Sequence, residues 1–176
     1  AIEAFVEPAA GRDPTIVDVS AATTEFSRHE VGNEYRAAKE DLLHAKEYTE
    51  GSQADTVDDL LEVAEVVDAL GFAQIQLVNA FKRVNTAVRT LYTESYGELA
   101  DDVDDIGYHR KLAAQHATSL RDTSDASTFD SVEFLTGAQF ETKMVQIDRE
   151  LAHEEEYRAA VAAAEEIPYE YPEPEL

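Results

Sequence analysis

An unbroken alternation of three- and four-residue spacings runs through Leu60, Val63, Val67, Leu70, Gln74, Leu77, Phe81, Val84, Val88 and Leu91. Such spacings bring positions onto one face only in an α-helix. At 1.5 Å per residue the seam is roughly 46 Å long. Whatever fold this chain adopts must therefore be organised around one long helix. Gly71 falls inside the pattern without disturbing its phase, and a single continuous helix is predicted. A second row, Val66, Ala73, Ala80 and Ala87, lies beside the seam. Its small side chains let a neighbour approach closely, so packing partners on two sides are expected. Gln74 is the polar member of the seam, and such a residue fixes register or partner choice at some cost in stability.

Shorter helices flank this one. Ser27-Arg28-His29-Glu30 reads as a capping box, with Phe26 and Val31 at the staple positions. The stripe Val31, Tyr35, Ala38, Leu42 and Ala45 follows, and Gly51 stands where a C-terminal stop belongs. Thr56 to Asp59 resembles a second capping box, at the start of the long helix. A third helix is predicted from near Ser95, with Leu99, Val103, Ile106, Ala113, Ala117 and Leu120 on its core face. A fourth runs from about Ser131 to Glu166 on the seam Phe140, Met144, Ile147 and Leu151, and Ile167-Pro168 ends it. The expected fold is an all-α helical bundle of about four helices over residues 27–167, with one long central helix. Pro8, Gly11 and Pro14 break any helical run in residues 1–26, which are expected to form an extended N-terminal arm. Residues 168–176 are expected to form an extended, polyproline-like tail.

The charge restricts the partners. With 38 acids against 14 bases the chain carries -24. A charge that large destabilises a compact state by self-repulsion unless salt screens it. Acid excess, nine Arg against five Lys, and no Cys resemble the composition of proteins from extreme halophiles, which points to a high-salt, haloarchaeal setting. The acidity argues against nucleic acid, which requires clustered Lys and Arg, and against anionic membrane surfaces. There is no apolar run long enough for a membrane span and no signal-peptide pattern at Ala1-Ile2-Glu3-Ala4, so a soluble, cytoplasmic or assembly-associated protein is expected.

Little in the chain points to catalysis. Glu150-Leu151-Ala152-His153 resembles the Glu-x-x-His pairs of ferritin-like di-metal bundles. With Leu151 at the centre of its seam, however, Glu150 and His153 point outward, and in a chain with 23 Glu the motif arises by chance. His109 and His116 share one edge of the third helix and could ligate a metal, but boundary packing is the simpler expectation. Asp101-Asp102-Val103-Asp104-Asp105 reads as a solvated helix start, and Arg110 either as a cation that answers an inward acid or as a snorkelling boundary side chain. No catalytic residue, cofactor or metal is expected, and a metal- or ligand-binding bundle using Glu150, His153, His109 or His116 is the alternative function. The leading expectation is a subunit or adaptor of a larger assembly, such as a virion or tail component, a filament or a scaffold. Its arms carry apolar anchors, Ile2, Phe5, Ile16 and Val17 at one end and Tyr169, Tyr171 and Leu176 at the other, expected to bury against a second copy or another protein.

Overall fold

The long seam forms one helix. A computed structural model describes residues 1–9, 11, 13–93, 99–129, 132 and 135–165. In it α3 runs unbroken from Ser52 to Tyr92, 41 residues or roughly 62 Å. The other helices are a short α1 (Ile2–Val6), α2 (Arg28–Lys46), α4 (Leu99–Thr123) and α5 (Gly137–Glu165), with 3-10 turns at Ile16–Asp18 and Ala126–Phe129. Among the described residues there is no strand, and no helix is long and apolar enough to cross a membrane. The architecture is a helical bundle with a long central helix. The expected tail residues Tyr169, Tyr171 and Leu176 lie outside the described residues, as do the predicted helix starts at Ser95 and Ser131.

Ion pairs set the direction of the first hairpin. Arg28 at the start of α2 pairs with Asp68 at 2.7 Å, Lys39 with Glu65 at 3.0 Å, and Lys46 with Asp58. Partners on α3 retreat as α2 advances, so the two helices are antiparallel. The Ser27 hydroxyl accepts from the Glu30 amide at 3.3 Å, and Phe26 and Val31 are both buried beside it. Gly51 does not stop α2, which ends at Lys46; at φ 58 it makes the turn before α3, which starts at Ser52, four residues ahead of Thr56. Gly71 is helical, and its lack of a side chain serves packing. A Cβ there would stand 3.2 Å from Val31 Cγ1 and 3.3 Å from Arg28 Cδ, where α2 crosses.

Three rows of α3 behave differently. Val63, Leu70, Leu77 and Val84 are buried, and so is the small-residue row Val66, Ala73, Ala80 and Ala87. The third row is buried at Val67 and Gln74 but only partly at Phe81, and Val88 is 39% exposed. Phe81 thus belongs to the seam by spacing but is only partly buried. The cause is a mismatch in length: α2 has 19 residues against 41 in α3, and it starts opposite Asp68. Nothing from α2 reaches Phe81 or Val88. α4 packs along α3, and α5 closes against α4 and α3.

The N-terminal segment is folded onto its own chain. Phe5 is 0% and Ile16 1% exposed, and with Val19 and Phe26 they belong to the same core cluster as Leu70 and Leu77 of α3 and Phe140 of α5. The Phe5 and Phe26 rings meet edge to face at 5.1 Å. The expectation that Phe5 and Ile16 anchor on a different chain is thus corrected, because α3 and α5 offer the apolar surface these side chains need. Ile2 and Val17 are partly buried against the same cluster.

Candidate functional site

The most polar part of the core lies where the N-terminal segment crosses α5. Lys143, Gln146, Glu150 and Glu154 follow one another at spacings of three, four and four residues, which places them on one helix face. Lys143 is 0% exposed, and its ammonium donates to three oxygens: the carbonyl of Val19, Gln74 Oε1 at 2.6 Å and Gln146 Oε1 at 3.3 Å. Gln146 donates in turn to the Val19 carbonyl at 3.2 Å and to Glu150 Oε1 at 2.9 Å. Gln74, the polar member of the long seam, is therefore an acceptor for a buried cation. Its amide nitrogen, Glu150 Oε2 and both Glu154 oxygens are buried with no hydrogen-bond partner among the described residues.

These surroundings shift the titrations. Burial pulls the Lys143 ammonium down to about 8, opposed by the charge of Glu150. Burial pushes Glu150 up, while Lys143 and a hydrogen bond from the Ala21 backbone hold it back. Burial, joined by repulsion from Glu150, pushes Glu154 up to about 8. Glu150 does not point outward as expected. The buried face of α5 is centred near Ile147, which is fully buried, whereas Leu151 is only partly so. From Ile147, Glu150 lies only about 60° round the helix. His153 is exposed, so the two members of the Glu-x-x-His motif sit in different surroundings. Lys143 and Glu154 were missed because a lone charge beside an apolar stripe reads as a solvated edge. The signal available was the run of four polar side chains at helical spacing.

The histidines of α4 are held by α3. His109 Nδ1 lies 2.6 Å from Gln76 Oε1, and burial lowers its pKa. His116 stacks on the Phe72 ring at 5.3 Å, and the Arg28 guanidinium covers that ring at 3.7 Å. Each histidine thus packs on its own α3 side chain, and the two do not converge. Among the described residues, no group of three or more His, Asp or Glu is placed to hold a metal ion. The acidic start of α4 is not wholly solvated: Asp102 is buried, and Arg83 reaches it at 3.9 Å and Asp105 at 2.9 Å. Arg110 donates to the Leu151 carbonyl at 3.0 Å and pairs with the half-exposed Glu155 at 3.4 Å, leaving the inward Glu154 without a hydrogen bond.

The second feature is apolar. Beyond Val31 and Gly32, α2 buries nothing completely. Its stripe residues Ala38 and Leu42 form, with Leu60, Ala64 and Val67 of α3 and with Ile2, a groove of about 320 Å³ that has Asp41 on its rim. Leu43 and Tyr48, near the same end of the hairpin, are 48% and 75% exposed. No protein-family model matches the chain, and no curated protein or solved structure shows significant similarity to it.

Proposed function

We propose that this chain is an interaction protein, a subunit or adaptor that docks another protein through the open side of the α2–α3 hairpin. The observation that carries the proposal is the groove of Ala38, Leu42, Leu60 and Ala64, half-buried apolar side chains on two helices, lined also by the buried Val67 and by Ile2. An apolar helix or extended segment of a partner would supply the missing layer, in the manner of helix-in-groove recognition. The acidic composition favours a high-salt setting, haloarchaeal in character, in which exposed charge is screened and apolar contacts carry association. A virion or tail component, a filament subunit or a scaffold protein in such a setting fits this reading, free in the cytoplasm or bound in the assembly. The ferritin-like alternative is not carried forward, because Glu150 and His153 do not face a common space.

Leu42→Glu tests the proposal. It places a charge in the groove at a side chain that is only partly buried, so the fold should survive. In molar salt the native particle should lose mass while helicity by circular dichroism stays within a few per cent of wild type. Unchanged particle mass would refute the groove as the contact.

A further inference from the structure

The polar row on α5 has a property separate from the docking proposal. Its first three members are linked by hydrogen bonds, although Glu150 Oε2 has no partner among the described residues. The Lys143 ammonium has three acceptors, Gln146 bridges it to Glu150, and Glu150 takes the Ala21 amide. One positive and one negative charge thereby meet across an amide, and both hold the backbone of Val19 and Ala21. Glu154 stands outside this set. It is 3% exposed, and neither of its oxygens meets a donor among the described residues. A carboxylate in that position would be an unpaired buried anion one turn from a second carboxylate, the least favourable state a buried acid can occupy.

We propose that Glu154 is a proton-binding site, neutral in the folded chain, and that it makes the attachment of the N-terminal segment to α5 proton-linked. The charged groups around it are few. Glu154 faces Glu150 on its own helix and Arg110 from α4, and Arg110 is already engaged with the Leu151 carbonyl and Glu155. Glu150 feels the charge of Lys143 and, least of its partners, that of the exposed His153. The row meets α3 at Gln74 and the N-terminal segment at the Val19 carbonyl and the Ala21 amide, none of which titrates. Loss of the proton sets a second anion beside Glu150. That anion weakens the Lys143–Gln146–Glu150 set through which Val19 and Ala21 are held.

The two strongest shifts act in opposite senses. Glu154 is raised from 4.5 to about 8, so its contribution to stability is whole below about 4.5 and is lost as pH rises through about 8. Lys143 is lowered from 10.5 to about 8, so its contribution is present above 10.5 and is lost as pH falls through about 8. Together they place a minimum of stability near pH 8, with the acid side governed by Glu154 and Glu150.

Equilibrium unfolding in molar salt, where surface repulsion is screened, reads this directly. Between about pH 5 and about pH 8 the wild-type unfolding constant should rise by up to about tenfold per pH unit, one proton being released on unfolding. Over the same range, amide exchange in residues 13–26, corrected for its intrinsic pH dependence, should quicken. Glu154→Gln mimics the neutral acid and should flatten both trends. A Glu154→Gln protein with the wild-type slope, or a wild type without a slope, would overturn the proposal. So would a slope that changes with the identity of the alkali cation at constant ionic strength, which would assign the orphan oxygens to a bound cation. Should the variant not fold, carboxyl carbon resonances of the wild type decide the matter. One Glu must remain protonated through neutral pH, and titration of every Glu in the ordinary carboxylate range would count against it.

Discussion

Phe5 brings the N-terminal segment into the core, and it does so from the short helix α1. Its ring is completely buried, edge-on to Phe26 and 5.8 Å from the Lys143 ammonium. Truncating a buried ring of this size costs about 3–5 kcal/mol, from lost transfer energy and the cavity left behind. Phe5→Ala should therefore lower stability by that amount in denaturant unfolding. A loss below about 1 kcal/mol would mean that the segment is only laid on the surface. That Phe5 and Ile16 would be buried was legible, since both are large and apolar in a polar stretch. Which chain would bury them was not, because burial in cis and in trans leaves the same residues in the sequence. Lys143 was opaque for a related reason. A charge inside an apolar stripe reads as an edge until the three oxygens that satisfy it, drawn from three separate segments, are brought together by folding.

The helices themselves were the most legible level. The seam and the small-residue row of α3 were readable as a pattern, and both row centres are buried. Less readable was how far each neighbour reaches along α3, because no local signal in α3 records that α2 starts opposite Asp68. Phe81 and Val88 belong to the seam by spacing and to the rim by the length of α2. Gly71 shows the reverse. It leaves the phase of the seam untouched, and it lies where α2 packs close against α3. Gly71→Ala would improve helix propensity, yet its methyl group would press on Val31 Cγ1 at 3.2 Å. The crowding should win, with a net loss of about 1–3 kcal/mol, as is usual for overpacking. Thermal unfolding checks the sign, and a raised melting temperature would show that α2 can shift to make room.

At the scale of the whole molecule, two features act together. The charge of -24 makes any purely electrostatic association with another acidic protein unfavourable. The groove between α2 and α3 supplies a contact that salt does not weaken, since apolar burial is strengthened by excluded salts. Ile2 lines that groove, so the N-terminal segment both completes the core and borders the proposed docking surface. Hydrogen exchange, compared in molar salt between the native particle and the isolated chain, tests docking most directly. Docking through the groove predicts slower exchange in residues 38–46 and 57–67 of the particle, with α4 and α5 unchanged. Equal exchange in both samples across those two stretches would contradict it.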